Sequence, residues 1–460
     1  MDSRNETISA DDEVVRFLAD NPDIVGIDVL LSDGNGVMRG KRMPREGIEK
    51  AFRDGVRFPG SLHALDITGN DIVEAGLVWE RGDADYVCWP VPGTLKRAPW
   101  HSRSLGQVLV AMYDEAGTPF FLDPRHVLKR VLDRYSADRL TPVIAIELEF
   151  YLTDPELDGQ GRAQPPRSPH TRRPDTGVQP LIMTALDDFE AFFAGIERAT
   201  QAQGIPAEAA IAEAGPGQYE INLVYNEDAM LAADHGVLLK RLVKGVAAGC
   251  GFGATFMAKP YAEESGNGLH IHMSLLDRDG RNLFDDGTAR GSETLRHAIG
   301  GLQATTAEAM AILAPNANSY RRFREGTYAP ISTAWGYNNR TTGLRIPSGG
   351  GKARRIEHRF AGADANVYLA TAAMLAGAHW GIADSVPASA ATDGNAYDQP
   401  GAPLPTDWHD AIRAFDAATV LPDYLGADFC RVFGLGRKAE RRKFNATVSA
   451  LEYEWYLRTV

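Results

Sequence analysis

The stretch VIAIELEFYL, residues 143–152, places the strongest constraint on how this chain can fold. Its apolar side chains alternate with a period of two, which predicts a strand with one apolar face formed by Ile144, Ile146, Leu148, Phe150 and Leu152. The other face carries Glu147 and Glu149, and two neighbouring carboxylates repel each other and lose hydration unless a positive charge is close. The pattern therefore predicts either a bound cation on this face or a face that is simply exposed to water.

The 460-residue chain is too long for one ordinary core, so two or more structural units are expected. Its hydrophobic content of 44% and charged content of 24% are typical of a soluble globular protein. No run of eighteen apolar residues occurs, so no membrane partner is predicted. The start MDSRNETISADDE lacks the basic and apolar regions of a signal peptide, and a cytoplasmic location is the expectation.

Charge and cysteine content exclude two further classes of function. The net charge of −13 disfavours a nucleic-acid partner, because phosphate binding requires a basic surface. Cys88, Cys250 and Cys430 are odd in number and widely separated, which argues against a disulfide framework or a thiolate metal cluster.

The first hundred residues indicate a small α+β unit. DIVGIDVLLSDGNGVMRGKRM predicts a hairpin with its turn at residues 33–36. In DPRHVLKRVLDRY, Asp123 suits a helix N-cap and Pro124 the first turn, and this helix follows a predicted domain boundary. Residues 153–177 read as an exposed loop, and further helices are predicted near residues 186–203, 227–249, 292–313 and 362–382.

Two other stretches place polar side chains where strands are expected. In AIAEAGPGQYEINL a Gly-Pro-Gly turn separates Glu213 from Glu220, which suits two adjacent strands that present carboxylates to one place. In NGLHIHMSL the side chains of His270, His272 and Ser274 share one strand face. A lone histidine there is more often a hydrogen-bonded core residue than a metal ligand.

The stretch GKARRIEHRF adds another carboxylate beside several cations. Arg355, Glu357 and Arg359 share one face, which in isolation reads as a surface ladder of ion pairs. Taken together, the five carboxylates and an imidazole favour Mg²⁺ or Mn²⁺ over zinc. The nearby cations suit the transfer of a phosphoryl group, and they are Arg322, Arg340, Arg345, Lys352, Arg355 and Arg359. Since no GxxxxGK[ST] loop occurs, metal ions and side chains would hold the nucleotide.

These motifs, in this order, resemble those of the glutamine synthetase family over nearly the whole chain. They are IELEFYL, SGNGLHIHMSL, NSYRRF and LRIPSGGGKARRIEHRF. The resemblance implies an α+β fold with a small β-grasp amino-terminal domain, residues 1–115, and a large catalytic domain, residues 116–460, in which an antiparallel sheet and helices form a funnel. It also implies a homo-oligomer of two stacked hexameric rings, with each site shared between neighbouring subunits.

The same resemblance assigns roles to residues. One metal ion would be held by Glu149, Glu213 and Glu220, and a second by Glu147, His270 and Glu357. Glutamate would be bound by Gly266, Arg322 and Arg359. ATP would contact His272, Ser274, Lys352, Arg345 and Arg355. Charge on the transferred phosphoryl group would be stabilised by Arg340, Arg345 and Arg355.

Three departures from the family pattern bear on the substrate. The family motif FDGSS places an aspartate of the neighbouring subunit against ammonium, but this chain has FPGSL, with Pro59 at that position. The family flap GYEAP carries a glutamate that takes a proton from ammonium, but this chain has GTYAP, with Tyr328. A phenol is protonated at neutral pH and cannot readily take over that role. Ser265 replaces a family asparagine near the amino acid end of glutamate.

The sequence thus predicts an ATP-dependent ligase that joins the γ-carboxylate of glutamate to a primary amine through γ-glutamyl phosphate. FPGSLHALDITGND and LEYEWYL resemble the γ-glutamylputrescine synthetase branch, so a polyamine such as putrescine is expected. Glutamine synthetase using ammonium and a ligase for a small monoamine are the alternatives. A non-enzymatic descendant is disfavoured because no metal ligand or phosphate-site arginine is lost. Glu325 and Asp66 are candidate bases for the amine, although each better suits a surface or structural role, and no modification is predicted for Tyr397.

Overall fold

The computed structural model describes residues 10–80, 82–176, 179–399 and 401–460. Most of the acidic start, residues 1–9, therefore lies outside the described part of the chain. Among the helices of the described residues, none has the length and apolar character needed to cross a membrane.

Strands and helices are interspersed along the described chain up to β14, after which the remaining regular elements are helices. The strands are β1 (Gly26–Ser32), β2 (Met38–Pro44), β3 (Val56–Pro59), β4 (Asp85–Pro90), β5 (Lys96–Arg97), β6 (Leu105–Tyr113), β7 (Thr141–Thr153), β8 (Ala207–Ala212), β9 (Gln218–Leu223), β10 (Gly253–Thr255), β11 (Leu269–Leu276), β12 (Trp335–Tyr337), β13 (Leu344–Ile346) and β14 (Ile356–His358). The α-helices are α1 (Ala10–Asp20), α2 (Ile48–Asp54), α3 (Pro124–Ala137), α4 (Met183–Asp188), α5 (Glu190–Gln203), α6 (Ala229–Gly249), α7 (Glu293–Leu313), α8 (Val367–Ala383), α9 (Trp408–Asp416), α10 (Leu421–Leu425), α11 (Ala427–Asn445) and α12 (Ala450–Tyr456). Short 3-10 helices cover Arg45–Gly47, Gly60–Ala64, Val73–Ala75, Ser319–Arg322 and Gly351–Ala353.

The first sheet uses only strands from the amino-terminal part, in the order β2-β1-β6-β4-β3 with β5 on β6. The predicted hairpin is confirmed, since β1 and β2 pair antiparallel on either side of the turn at residues 33–36. The carboxylate of Asp33 holds this turn by accepting hydrogen bonds from the N–H groups of Asn35 and Val37, each at 2.9 Å. All strands of this sheet end by Tyr113, while the division at residue 115 stays a prediction.

The second sheet carries the residues of the predicted site, in the order β12-β13-β14-β11-β7-β9-β8 with β10 also on β7. All its pairs are antiparallel except β12 with β13, which is parallel. The predicted central strand is confirmed as β7, and its apolar face from Ile144 to Leu152 is buried against α6. Behind this sheet α8 is buried along almost its whole length and packs against α3, α6 and α7.

Helix caps explain where the predicted helices begin. Asp123 accepts a hydrogen bond from the N–H of Arg125 at 2.9 Å, and α3 starts at Pro124 as predicted. Helix α8 starts five residues later than predicted, because the side chain of Asn366 caps it by accepting from the N–H of Leu369. The helix predicted at residues 186–203 is divided into α4 and α5 at the buried Phe189.

Candidate active site

The register of β7 with its two neighbours brings four of the predicted metal ligands together. Glu147 lies directly opposite His270 on β11, and Glu149 lies directly opposite Glu220 on β9. Residues that are directly opposite in an antiparallel pair have their Cβ atoms about 4.5–5.5 Å apart on the same face. The alternation in the sequence therefore becomes a line of polar side chains that crosses three strands.

The next strand extends this line toward the arginines. Glu357 on β14 lies opposite His272 on β11 and opposite Arg345 on β13. The Nη1 atom of Arg345 lies 2.6 Å from Oε2 of Glu357, and Arg359 donates a hydrogen bond to the other oxygen. The carboxylate of Glu357 is thus held between two guanidinium groups.

Histidine nitrogens and carboxylate oxygens meet at the centre of the cluster. The Nδ1 atom of His270 lies 3.2 Å from Glu147, 3.9 Å from Glu220 and 4.0 Å from Glu357. The Nε2 atom of His272 lies 2.8 Å from Glu147. The structure therefore places both imidazoles, not only His270, against the carboxylates.

Glu213 joins the cluster from the turn after β8. Its N–H donates to the carbonyl oxygen of Gln218 across this turn, in which Gly217 has a φ of 73° that favours glycine. Burial, followed by the charge of Glu149, raises the pKa of Glu213 to about 7, against the opposing effect of Arg340. Arg340 itself lies in an exposed part of the loop between β12 and β13.

The positive groups near the acidic cluster do not offset the repulsion among all of its carboxylates. Burial and the neighbouring Glu147 raise the pKa of Glu220 to about 10. Burial also acts to raise the pKa of Glu147, but hydrogen bonds from His270 and His272 outweigh it and hold that pKa well below its ordinary value. Burial is likewise outweighed at Glu357, whose pKa is lowered to about 2, chiefly by Arg359.

A glycine lies where the residues predicted to bind glutamate come closest to the residues predicted to bind metal. The N–H of Gly268 donates to Oε2 of Glu149 at 2.6 Å. A Cβ atom at this position would lie 2.9 Å from Nε2 of His270 and 3.4 Å from Nη2 of Arg322. Only glycine leaves room for these side chains to converge.

The donor set of the cluster fits hard divalent ions. Two groups have ligand atoms within 4.8 Å of one another, Glu147 with His272 and Glu357, and Glu147 with Glu220 and His270. Carboxylates dominate both groups, and oxygen-rich sets favour Mg²⁺ or Mn²⁺. The raised pKa values of Glu213 and Glu220 point the same way, because buried like charges need a cation. These two groups differ from the two predicted sets of metal ligands. They include His272, which was predicted to contact ATP.

Arg322 is buried beside the cluster and bound to the main chain. Its Nη1 and Nη2 atoms each donate a 2.9 Å hydrogen bond, to the carbonyl oxygens of Phe360 and Arg359. Burial lowers the pKa of Arg322 to about 10. Within the described residues, the buried Nε atoms of Arg345 and Arg359 have no hydrogen-bond partner. These N–H groups remain available to an anionic ligand.

A cavity of about 490 Å³ opens beside Glu147. Four of the five residues predicted to contact ATP line it, and they are His272, Ser274, Lys352 and Arg355. Arg355 donates from Nε to Nδ1 of His272 at 3.1 Å, and Ser274 donates to the carbonyl oxygen of Arg354 at 2.9 Å. The structure thus gathers these residues around one space next to the acidic cluster.

Pro59 and Tyr328 lie in separate parts of the chain. Pro59 ends β3 of the first sheet. Tyr328 lies in the loop before β12, with 61% of its surface exposed and a φ of 57°. The hydroxyl of Tyr397 donates to the carbonyl oxygen of Ala329 at 3.0 Å and so holds this loop next to Tyr328. That Pro59 of one subunit faces Tyr328 of a neighbour stays a prediction from the resemblance.

The two candidate bases differ in their surroundings. Asp66 accepts hydrogen bonds from the N–H groups of Thr68 and Asn70, and Lys443 lies 2.9 Å from its other oxygen. These bonds outweigh burial and lower the pKa of Asp66 to about 2, which suits a structural acid. Glu325 is exposed in the loop that carries Tyr328.

Two polar residues of the site were missed by sequence reasoning. The hydroxyl of Tyr151 on β7 donates to the carbonyl oxygen of Ser265 at 2.7 Å. Gln218 on β9 donates from Nε2 to the carbonyl oxygen of Gly266 at 3.0 Å. A signal existed, because Tyr151 shares the face of Glu147 and Glu149, and Gln218 shares that of Glu220.

Comparison with known proteins decides the family. The sequence profile described as the glutamine synthetase catalytic domain matches residues 121–456, more than half of the chain. The chain belongs to the glutamine synthetase family. The predicted α+β fold of the glutamine synthetase type is confirmed by this match and by a solved structure described as the GmaS/ADP complex in conformation 1. That structure has a TM-score of 0.83 and 30% identity, and the match covers 96% of this chain and 99% of the other.

Two relatives within the glutamine synthetase family are named for amine ligation. Gamma-glutamylputrescine synthetase PuuA of Escherichia coli (strain K12) is 42% identical over 446 residues, which cover 97% of this chain and 94% of that protein. Gamma-glutamylethanolamide synthetase GlnA4 of Streptomyces coelicolor (strain ATCC BAA-471 / A3(2) / M145) is 31% identical over 446 residues, covering 95% and 92%.

Proposed function

We propose that this chain is an ATP-dependent ligase that joins the γ-carboxylate of glutamate to a primary amine, with a polyamine such as putrescine as the preferred amine. Membership of the glutamine synthetase family and similarity to two γ-glutamyl amide synthetases support the ligation. The observation that carries the choice of amine is the replacement of two family carboxylates by Pro59 and Tyr328.

The acidic cluster would hold two divalent ions in this reaction. Glu149, Glu213 and Glu220 would bind one ion, and Glu147, His270 and Glu357 the other. The ions, when bound, supply positive charge for the phosphates of ATP and for the γ-carboxylate of glutamate. Burial and the neighbouring carboxylates raise the pKa of Glu213 and of Glu220, and a bound cation would offset this repulsion.

The arginines would divide between the two substrates. Arg340, Arg345 and Arg355 would stabilise negative charge on the transferred phosphoryl group. Arg322, Arg359 and the Gly266 region would bind glutamate. Because Glu357 pairs with both Arg345 and Arg359, it would align the phosphate side of the site with the glutamate side.

The reaction would take two steps. A γ-carboxylate oxygen of glutamate attacks the γ-phosphorus of ATP, ADP leaves, and γ-glutamyl phosphate forms. The amine nitrogen then attacks the acyl carbon, inorganic phosphate leaves, and the nitrogen loses a proton to give the amide. The cavity lined by His272, Ser274, Lys352 and Arg355 would take the nucleotide beside Glu147.

The amine preference follows from what the site lacks. An ammonium pocket must strip a proton from a small cation with a pKa above about 9, and carboxylates at close range serve that purpose. Pro59 and Tyr328 remove both family carboxylates and add apolar surface that suits an alkyl chain. The exposed ring of Tyr328 suits a cationic end, and the net charge of −13 suits a diamine.

Assembly and location are part of the same proposal. The family resemblance supports a dodecamer of two hexameric rings, in which Pro59 would complete the amine site of a neighbouring subunit. A cytoplasmic enzyme that acts on small molecules, without a nucleic-acid or membrane partner, is the expected setting.

The test is glutamate-dependent phosphate release at neutral pH with matched concentrations of putrescine, spermidine, ethylamine, methylamine and ammonium chloride. We expect the highest kcat/KM with putrescine and a much lower value with ammonium. Tyr328→Glu should shift the preference toward ammonium, whereas the control Tyr328→Phe should keep putrescine preferred. A wild type that is most efficient with ammonium would be a glutamine synthetase, and one most efficient with ethylamine or methylamine would be a monoamine ligase.

A further inference from the structure

We infer that Tyr151 is a positioning residue for glutamate, and that its hydroxyl orients the Ser265–Gly266 peptide so that the N–H of Gly266 faces the substrate carboxylate. This inference rests on the proposed glutamate-binding role of the Gly266 region. It gives a role in the specificity of the site to a residue of the IELEFYL motif to which the resemblance assigns none.

The contacts of Tyr151 fix its hydroxyl in one place. The side chain is fully buried on β7, and its ring stacks edge-on against Tyr261 with centroids 5.0 Å apart. The hydroxyl donates to the carbonyl oxygen of Ser265 at 2.7 Å. Because a carbonyl oxygen can only accept, the hydroxyl is the donor in this bond.

A glycine in the acidic turn makes room for this hydroxyl. A Cβ atom at Gly215 would lie 2.0 Å from the oxygen of Tyr151. Gly215 belongs to the turn between Glu213 and Glu220. Tyr151 therefore touches both the turn that carries two predicted metal ligands and the loop that would bind glutamate.

Peptide geometry converts this hydrogen bond into a directed donor. In a planar trans peptide the C=O and the following N–H point in opposite directions. The held carbonyl of Ser265 therefore aims the N–H of Gly266 away from Tyr151. Throughout the described ranges this N–H has no hydrogen-bond partner, although Gly266 is only half-buried. A free N–H next to Arg322, whose Cγ would lie 2.8 Å from a Cβ at Gly266, suits a carboxylate.

The carbonyl group of the next peptide, Gly266–Asn267, is also held by a side chain. Gln218 donates to the carbonyl oxygen of Gly266 at 3.0 Å and to the side-chain oxygen of Asn267 at 3.1 Å. The N–H of Asn267 then donates to the carbonyl oxygen of Ala258 at 2.8 Å. The N–H of Asn267 is therefore already hydrogen-bonded within the protein, and the N–H of Gly266 is the one left for a ligand.

The replacement at residue 265 explains why the hydrogen bond from Tyr151 matters in this chain. Ser265 replaces an asparagine of the family pattern and has a shorter side chain with no amide. In this chain the main-chain carbonyl of that residue is bound by Tyr151. Orientation of the peptide thus takes the place of a longer side chain.

The experiment compares Tyr151→Phe with the matched control Tyr219→Phe in steady-state assays with glutamate, ATP and the best amine. Tyr219 is also a buried tyrosine that donates to a main-chain carbonyl, that of Ala185 at 3.0 Å, but it lies on the core face of β9. We expect Tyr151→Phe to raise the KM for glutamate about tenfold, because the N–H of Gly266 would no longer be directed at the substrate carboxylate and one hydrogen bond to that ion would be lost. The KM for ATP and the kcat should change less than twofold, and Tyr219→Phe should leave all three constants unchanged.

Several outcomes would overturn the inference. An unchanged glutamate KM in Tyr151→Phe, or equal effects on the glutamate and ATP constants, would reduce Tyr151 to a structural residue while the proposed ligase activity stands. A wild type that does not use glutamate with any amine would overturn the proposed function and this inference together. Should Tyr151→Phe fail to fold, Gln218→Glu tests the same loop, and an unchanged glutamate KM there would be equally decisive.

Discussion

Two buried carboxylates of this protein, Asp234 and Glu220, have opposite electrostatic surroundings. Asp234 on α6 is 2% exposed and accepts hydrogen bonds from Nε and Nη2 of Arg125 at 3.0 and 3.1 Å and from the hydroxyl of Tyr368 at 2.7 Å. Glu220 is buried among Glu147, Glu149 and Glu213 and has a raised pKa. The first carboxylate is neutralised by the protein itself, and the second is not.

This difference separates structural charge from functional charge. A buried ion pair with all its hydrogen bonds satisfied holds elements together, here α3, α6 and α8, and needs nothing from outside. A buried cluster of like charges destabilises the folded protein until a cation binds. The ion pair of Asp234 is satisfied within the protein, whereas the stability of the acidic cluster depends on the ions that it binds.

The largest effect that would sharpen this contrast is expected for Glu220→Gln. Removal of a ligand from the cluster should lower turnover at least about 1,000-fold, equivalent to about 4 kcal/mol. In excess chelator the same variant should unfold at a higher temperature than the wild type, because the cost of burying an ionisable carboxyl group among other carboxylates is gone. Activity assays and thermal unfolding measure the two effects, with the exposed Glu190→Gln as the control. Near-normal turnover would remove Glu220 from the proposed metal site.

A smaller effect of the opposite kind is expected for Asp234→Asn. This change leaves Arg125 without its buried partner and should destabilise the protein by about 3 kcal/mol. The comparison variant Tyr368→Phe removes only one hydrogen bond to Asp234 and should cost about 1 kcal/mol. Thermal unfolding with and without Mg²⁺ checks both values. A variant Asp234→Asn as stable as the wild type would break the contrast between the two carboxylates.

The smallest effect concerns pH. The pKa of Glu213 is raised from 4.5 to about 7, so the folded protein holds this proton more tightly than the unfolded chain. In chelator, the stability of the wild type relative to the variant Glu213→Gln should therefore fall by about 1–2 kcal/mol as pH rises from 4.5 to 7. The raised pKa of Glu220 should cause a similar decline, relative to Glu220→Gln, that extends to alkaline pH. Saturating Mg²⁺ should flatten this decline, because the ion replaces the protons. Unfolding temperatures in chelator that change with pH in the same way in the wild type and in Glu213→Gln would contradict the assignment of this pKa shift.

Sequence reasoning predicted the regular elements whose signals are local. The strand β7 was visible because residues 143–152 keep a period of two, and α3 because Asp123 and Pro124 mark its start. The start of α8 was placed too early, since the apolar residues before Asn366 gave no sign of the turn that precedes the cap. The predicted site residues came from motifs, and their assigned roles stay predictions.

Contacts between distant segments could not be read from the sequence. Asp234 meets Arg125 and Tyr368 across 109 and 134 residues, and helical periodicity contains no information about such pairings. The contact of His272 with Glu147 depends on the register between β11 and β7, which a sequence pattern does not fix. Tyr151 was visible on the correct face, but its partner at Ser265 lies 114 residues away.

The left-handed backbone of Tyr328 bears on how new amine preferences could be engineered. Its φ of 57° costs an aromatic residue about 1–2 kcal/mol that a glycine would not incur. The loop lies outside the strand ladders, so a new side chain at this position breaks no sheet pairing. A library of substitutions at residue 328 can therefore sample amines of different length and charge while the arginines predicted to stabilise the phosphoryl group are left unchanged. Glycine at this position should also stabilise the fold by removing that cost, which makes residue 328 a suitable starting point for a designed amide synthetase.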